Sequence, residues 1–244
     1  MLIFSFDITK KVRFNKSKLL LSGALILGLS ACGSDNNNKE VAPVEPEEYS
    51  YSITVTNLTY AQPLSPLAVV LHDNSKMWMI GEASSQALEI LAEGGDNSSF
   101  ISESTALASI SGEGIVLPGL ASSVEISTTD RNATYFTVAT MLVNTNDAFT
   151  GLTGVDISTM TINDVKSWNL NVYDAGTEAN SEAMGTIPGP ADGGTGFVES
   201  RDDVNFVAMH SGVVSQDDGL SSSVLNQSHR FDNPAIKLSI TRTK

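Results

Sequence analysis

The strongest constraint on the fold is the alternation of apolar and polar residues in several short segments of the chain. Residues 51–55 are apolar at every second position, and residues 236–240 repeat this pattern near the end of the sequence. Residues 134–144 are apolar on both faces, as expected of a strand buried in the middle of a sheet. A period of two is typical of strands, because successive side chains point to opposite faces. The sequence therefore predicts a mainly β structure.

One segment, residues 84–95, departs from this pattern and predicts a helix. Ala87, Leu88 and Leu91 fall on one helical face, serines precede them, and two glycines follow. Serine is favoured at the start of a helix and glycine at its end. The expected fold is all-β, an antiparallel β-sandwich with one helix in a connecting segment.

The N-terminus predicts an export signal. Lysines and an arginine precede an apolar stretch, residues 19–29, that is too short to span a bilayer comfortably. The sequence Leu-Ser-Ala-Cys at its end resembles a bacterial lipobox, in which the signal is cleaved before the cysteine and the cysteine is lipidated. We therefore expect residues 1–31 to be a lipoprotein signal peptide, and Cys32, the single cysteine of the chain, to carry the lipid.

The mature chain would be attached to a membrane through this lipid anchor. Gly33 after the cysteine is typical of lipoproteins that reach the outer membrane. The expected location is the bacterial cell envelope, as an outer membrane lipoprotein that is periplasmic or surface-exposed. Residues 32–48 are polar and acidic and predict a flexible tether, and residues 49–244 predict one β-sandwich domain.

The charge of the chain limits its partners. The formal net charge is −14, and no basic stripe that could follow a phosphate backbone is visible. We therefore expect no nucleic-acid partner. An acidic surface suits a solvated exported protein, and it also suits cation binding where carboxylates converge.

The familiar signatures of catalysis are missing. The sequence has no Gly-x-Ser-x-Gly elbow, no Walker A loop and no His-Glu-x-x-His motif. His72, His210 and His229 lie in separate segments, which gives no clustered ligands for zinc or copper. His210 and Ser211 are neighbours, and neighbours on a strand point to opposite faces. We therefore expect that the protein is not an enzyme and that any bound metal is a hard one.

The carboxylates of one short loop are the first candidates for binding such a metal. Asp174 and Glu178 bracket a small Ala-Gly-Thr segment, in which Gly176 lets the chain fold back. Calcium takes about six to eight oxygen ligands and tolerates irregular geometry. Two readings stay open at this point: half of a cation site, or a turn in which Asp174 bonds to its own backbone.

Four segments of the chain occur in a recognisable order. They are residues 65–73, 77–96, 143–156 and 168–181. Their most specific motifs are Trp-x-x-Gly-Glu-Ala-Ser from Trp78, Gly-Val-Asp from Gly154, and Asp-Ala-Gly-Thr-acid from Asp174. In this order they resemble the spondin N-terminal domain, the module of F-spondin and mindin in the animal extracellular matrix.

The resemblance implies a β-sandwich that binds one calcium ion, Ca2+, through loop carboxylates and that acts in adhesion or recognition. The ligand positions of the family fall on Asp147, Asp174 and Glu178. Glu178 replaces an aspartate of the family, and its extra methylene changes its reach. Ala148 replaces the usual aromatic residue, and the cysteines of the animal domains are absent, so integrin binding is not transferred. Asp156 is a candidate to support the ligands.

Three hypotheses of function remain from the sequence. The leading one is a lipid-anchored, calcium-binding spondin-like module on the bacterial envelope, with an extracellular protein or glycan as its ligand. The second is an envelope glycan hydrolase that uses paired carboxylates as acid and base. The third is a purely structural lipoprotein.

Overall fold

A computed structural model of the chain describes residues 45–73, 76–103 and 105–244. The predicted signal peptide, residues 1–31, and the predicted lipidation site, Cys32, lie outside the described residues. Within the described ranges, no helix is both long enough and apolar enough to cross a bilayer. These ranges belong to one structural unit, Glu45–Lys244.

In this part of the chain the backbone forms ten strands, two α-helices and two short 3-10 helices. The strands and α-helices, in chain order, are β1 (Tyr49–Asn57), β2 (Ala68–His72), α1 (Gln86–Gly94), α2 (Ser98–Ile101), β3 (Ala106–Ser111), β4 (Ala121–Thr128), β5 (Tyr135–Met141), β6 (Ala148–Asp156), β7 (Val165–Leu170), β8 (Val172–Asp174), β9 (Ala208–Met209) and β10 (Ile236–Arg242). The 3-10 helices are Gln216–Asp218 and Gln227–His229.

The strands are arranged in two antiparallel sheets. The smaller sheet has the order β4-β1-β10-β7, and the larger has the order β3-β2-β5-β6-β8-β9. In the smaller sheet, Ile53 of β1 lies opposite Ile240 of β10 on one side and Val124 of β4 on the other. The predicted antiparallel β-sandwich is confirmed.

The main core lies between the inner faces of the two sheets. Ile53, Val55 and Leu238 are fully buried there, as the alternation of their segments predicts. β5 is buried on both faces: Val138 points into this core, and Ala139 belongs to a second apolar cluster. Each such buried aliphatic side chain contributes roughly 1.5–3 kcal/mol, so the inner faces hold the sheets together.

The predicted helix is confirmed, with its ends where the sequence placed them. The hydroxyl of Ser85 accepts the N–H of Leu88 at 3.2 Å and so satisfies one donor of the first turn. At the other end, Gly95 is left-handed and its N–H donates to the carbonyl of Leu91 at 2.9 Å. Glycine adopts this conformation without steric cost.

Both α-helices cover the outer face of the larger sheet. Leu91 of α1, Phe100 of α2 and the loop residue Trp78 belong to one apolar cluster with Phe149 of β6, in which Trp78 contacts both Phe100 and Phe149. The Trp78 and Phe149 rings meet edge to face, with centroids 5.3 Å apart. This second cluster adds a third layer to the sandwich and explains why the central strands are apolar on both faces.

The pairing of β6 with β8 brings together the two aspartates that the sequence singled out. Ala148, the first residue of β6, lies opposite Asp174, the last residue of β8. The N–H of Ala175 donates to the carbonyl of Asp147 at 3.3 Å. In the β5–β6 turn, the hydroxyl of Thr145 accepts the N–H of Ala148 at 3.1 Å. Asp147 is thereby fixed beside the end of β8.

The start of β1 and the end of β10 lie together at the other end of the sandwich. The N–H of Ser50 donates to the carbonyl of Lys244 at 3.2 Å, and the N–H of Thr243 donates to the carbonyl of Ser50 at 2.8 Å. Over its nine residues β1 rises by roughly 27 Å. At its far end the side-chain amide of Asn57 donates to the carbonyl of Gln62 at 2.8 Å. The side-chain amide of Gln62 in turn donates to the carbonyl of Asn144 in the β5–β6 turn at 3.1 Å.

Two residues at the end of the predicted tether contact the domain. Glu48 forms an ion pair with Lys244 at 2.6 Å, and Glu47 forms one with Arg131 at 3.2 Å. The described contacts with the sandwich therefore include the two residues that precede β1.

Candidate metal centre

Asp147 is fully buried at the end of the β5–β6 turn. Its Oδ2 accepts the N–H of Thr177 at 2.8 Å, the hydroxyl of Thr177 at 3.2 Å and the N–H of Glu178 at 3.1 Å. Its Oδ1 is also buried, and it has no hydrogen-bond partner among the described residues. A buried carboxylate oxygen loses its bound water, and this costs free energy unless a hydrogen-bond donor or a cation takes the place of the water. Oδ1 is thus well placed to accept a cation.

The pKa of Asp147 reflects this environment. Burial is the main cause that raises it to about 7, and the charge of Asp174 acts in the same direction. The hydrogen bonds from Thr177 and Glu178 oppose the shift without cancelling it. Two carboxylates that repel each other in a buried setting are stabilised by a shared proton or by a divalent ion.

Asp174 is held by the turn that follows β8. Its Oδ1 accepts the N–H of Gly176 at 2.7 Å. This bond forms the turn between the side chain and its own backbone that the sequence offered as the alternative to a cation site. Its Oδ2 accepts the side-chain amide of Asn180 at 2.5 Å. The aspartate therefore bonds to its own backbone and also lies beside Asp147. A turn at Asp174 and a cation site beside Asp147 are therefore compatible hypotheses.

Glu178 takes part in the centre chiefly through its backbone. Its N–H bonds to Asp147, whereas its side-chain Oε1 accepts the amide of Asn146 at 3.1 Å. Its Oε2 is buried without a hydrogen-bond partner among the described residues. Burial, followed by the charges of Glu93 and Asp202, raises the pKa of Glu178 to about 7. The carboxylate of Glu178 therefore lies close enough to Glu93 and Asp202 for their negative charges to raise its pKa.

Several further acidic residues surround the centre. Burial raises the pKa of Glu93, and burial together with the charge of Asp174 raises that of Asp203. The nearby cation, Arg201, is already paired with the buried Glu89, at 2.7 and 3.0 Å. This end of the molecule therefore carries an excess of negative charge.

The donor atoms suit a hard cation. Carboxylate and amide oxygens surround the centre, and these are ligands that calcium prefers. No group of three or more histidine, cysteine, aspartate or glutamate side chains in the described ranges is placed to hold a metal ion together. Asp147 and Asp174 would hold such an ion as a pair, with neutral oxygens and water completing its coordination.

Sequence reasoning missed two asparagines and a histidine that support the centre. Asn146 bonds to Glu178, and Asn180 bridges Asp174 and His210. His210 is buried, and its Nδ1 accepts the N–H of a neighbouring glycine at 2.9 Å, which leaves the proton on Nε2 for the 3.1 Å bond to Asn180. Burial lowers its pKa and favours this neutral form. Each asparagine lies within two residues of a predicted ligand, Asn146 before Asp147 and Asn180 after Glu178, and this proximity could have identified both from the sequence.

Asp156 lies at the other end of β6 from the centre. It is exposed, and its Oδ1 accepts the N–H of Ser158 at 2.8 Å. The hydrogen bonds from Ser158 lower its pKa. Asp156 therefore stabilises a turn and does not support Asp147 or Asp174.

Comparison with known families gives one match. The family model described as Spondin_N matches residues 56–186, which is more than half of the chain. The matched range contains all four motif segments and also Asp147, Asp174 and Glu178. No curated protein is significantly similar to the chain.

Proposed function

The chain belongs to the spondin N-terminal domain family, and from this we propose that it is a calcium-binding recognition module held at the bacterial envelope by a lipid on Cys32. The module serves adhesion or recognition, with an extracellular protein or a glycan as its partner. The single observation that best supports the calcium site is Oδ1 of Asp147, a buried carboxylate oxygen that has no hydrogen-bond partner in the described part of the chain and lies beside a second aspartate.

Calcium at this centre would join two separate parts of the chain. Asp147 belongs to the turn before β6, and Asp174 ends β8. The ion would remove the repulsion between the two carboxylates and would displace the proton that the raised pKa of Asp147 favours. Free calcium at a hundredfold excess over its dissociation constant would stabilise the fold by about 2.7 kcal/mol.

Thermal unfolding of the full-length protein tests the calcium site. Calcium should raise the melting temperature, and a chelator should reverse the increase. Asp174→Asn should abolish the increase, because it removes one of the two charges. Asp156→Asn is the matched control, since Asp156 is an aspartate at the other end of the same sheet, and it should keep the full increase. A melting temperature that is independent of calcium at every concentration would reject the site.

Burial favours calcium binding over glycan hydrolysis. Asp147 has no exposed surface and Asp174 is 6% exposed. A general acid and a nucleophile must touch the sugar, so both carboxylates of a hydrolase must be accessible to it. We therefore propose a non-catalytic role. Release of reducing sugar from envelope polysaccharides, lost in Asp174→Asn, would reverse this conclusion.

The lipid anchor has its own test. Cells that express the protein with a labelled fatty acid should incorporate the label, and Cys32→Ser should remove both the label and the membrane association. Capture of surface-exposed binding partners from matrix protein, polysaccharide and envelope fractions, with Asp174→Asn as the comparison, would then identify the class of ligand. Equal membrane association of the wild-type protein and Cys32→Ser would contradict the anchor.

A further inference from the structure

An apolar groove lies on the outer face of the larger sheet, next to the part that the helices cover. It has a volume of about 390 Å³ and is lined by Lys76, Trp78, Met79, Ile80, Thr153 and Tyr173. Trp78 is the most buried aromatic residue of the lining, at 7% exposure: its ring lies 6.3 Å from that of Tyr173 and packs against Phe149. Volumes of this size are typical of sites for small ligands, which are mostly apolar with a few polar groups.

The walls of the groove include large apolar side chains that are open to solvent. Ile80 is 59% exposed and Met79 is 47% exposed. Met209 of β9, which is paired with Tyr173, extends the apolar surface along the sheet and is 44% exposed. Neighbouring exposed apolar residues of this kind mark binding surfaces more often than isolated ones do.

The polar groups of the groove are a cation and a hydroxyl. Lys76 makes no ion pair or hydrogen bond with any other described residue, although most cations in the described part have one. The hydroxyl of Thr153 accepts the N–H of Met77 at 2.8 Å, and its own hydrogen remains available to an acceptor. Both groups are suited to a negatively charged oxygen. Although the chain has a net charge of −14, a lysine beside apolar walls gives this groove a preference for anionic ligands.

The groove is distinct from the candidate metal centre. Tyr173 lines the groove, whereas its neighbour Asp174 belongs to the centre, and adjacent residues of a strand point to opposite faces of the sheet. The two sites therefore share β8 but lie on different sides of it.

We propose that this groove binds an amphiphile with a carboxylate head and an apolar body, of the class of a medium-chain fatty acid. The carboxylate lies at Lys76 and Thr153, and the chain lies along Trp78, Met79 and Ile80. The charge of Lys76 favours an anionic head, and the apolar walls favour an alkyl body.

Fluorescence quenching tests the groove directly. The protein has two tryptophans, Trp78 and Trp168, so Trp168→Phe leaves Trp78 as the sole reporter in the full-length chain. The probe is ω-bromoundecanoate, whose bromine quenches indole emission on contact, and its neutral counterpart is ω-bromoundecanol. The acid should quench Trp78 saturably, and it should bind more tightly than the alcohol.

Matched variants in the Trp168→Phe background locate the site. Ile80→Asp should abolish quenching, whereas Ile115→Asp, at a residue with a nearly equal exposure of 60%, should leave it unchanged. Lys76→Gln should weaken binding of the acid by about two- to fivefold, as expected of an exposed charge pair, and should not affect the alcohol. Lys237→Gln, at an exposed lysine of β10, is the control for total charge.

Three outcomes would overturn the proposal. The first is equal quenching in Ile80→Asp and Ile115→Asp, which would place the probe elsewhere. The second is binding of the alcohol as tight as that of the acid, which would assign the groove to a neutral apolar partner. The third is an equal loss of acid binding in Lys76→Gln and Lys237→Gln, which would mean that Lys76 acts only through the net charge of the protein and does not contact the carboxylate. Circular dichroism of each variant is the control for retention of the fold.

Discussion

Gly176 determines how closely the turn after β8 approaches its neighbours. It has a φ of 71°, and a Cβ added there would lie 2.2 Å from the carbonyl oxygen of Phe206. Backbone cannot move aside as a flexible side chain can. We expect Gly176→Ala to lower the free energy of unfolding by about 3 kcal/mol, measured by urea denaturation, and to weaken the calcium response by displacing Asp174.

Gly81→Ala is the matched control for this substitution. Gly81 has a φ of 87°, and a Cβ there would have no atom within 4 Å. Its replacement should cost about 1 kcal/mol, the conformational penalty alone. Equal losses in the two variants would show that the contact with Phe206 has no energetic importance.

The charge of Asp147 provides a second prediction at the scale of the residue. Asp147→Asn keeps the shape of the side chain and removes a buried negative charge. In the presence of chelator at about pH 8 we expect the variant to be more stable than the wild type, by about 1 kcal/mol, because the repulsion from Asp174 is lost. With calcium the order should reverse. A variant that is less stable under both conditions would mean that Asp147 acts only through its hydrogen bonds.

The residues of the candidate centre differ in how well the sequence predicts them. The turn at Asp174 follows from local spacing, and its closeness to Asp147 follows from the pairing of two strands. The environment of the Glu178 side chain depends on Asn146, which donates to it, and on the charges of Glu93 and Asp202, which come from a helix and a distant loop. Packing decides such contacts, and a single sequence without a structure does not contain them.

At the scale of elements, one ion pair joins α1 to the loop before β9. The guanidinium of Arg201 bonds to both carboxylate oxygens of Glu89, which is 4% exposed, and also to the carbonyl of Ser84 at 2.9 Å. Arg201→Leu leaves a buried carboxylate without its partner. The expected loss is about 3 kcal/mol in the free energy of unfolding.

The double variant Glu89→Leu, Arg201→Leu separates the pair from its surroundings. It should lose less stability than Arg201→Leu alone, because no charge is left unpaired in the interior. A double variant that is less stable than the single one would show that Glu89 has a separate stabilising role.

The strands and α1 could be predicted because their signals are local. The alternation in β1 and β10 and the serine and glycine at the ends of α1 depend on a few adjacent residues. The short helix α2, the two 3-10 helices and the layer that covers the larger sheet could not be predicted. β5 is apolar on both faces whether a helix, a loop or another sheet covers it, so its sequence does not identify the covering element.

At the scale of the whole molecule, buried carboxyl groups make stability depend on pH. The groups with raised pKa in the described part include Glu93, Asp147, Glu178 and Glu182. A group whose pKa is higher in the folded state stabilises the fold when protonated, and this contribution is lost as the pH rises through the folded value. For Asp147 and Glu178 the change runs from their ordinary values, 3.8 and 4.5, to about 7.

We therefore expect the chelator-treated protein to become less stable between about pH 5 and about pH 7.5, in urea denaturation at constant salt. Calcium should reduce this dependence, because the ion replaces the protons. Exposed carboxyls with lowered pKa, such as Asp156 and Asp218, act with the opposite sign and at lower pH. Stability that rises over the same interval without calcium would contradict the assigned pKa shifts.

The position of the chain ends gives the domain a direction. The start of β1 and the end of β10 share one pole of the sandwich, and the β5–β6 turn with its aspartates lies at the other, a strand length away. A support that holds the domain directly at the start of β1 or at the end of β10 would therefore lie at the opposite pole from the aspartates. A domain immobilised in this way would expose the β5–β6 turn and its aspartates to other molecules.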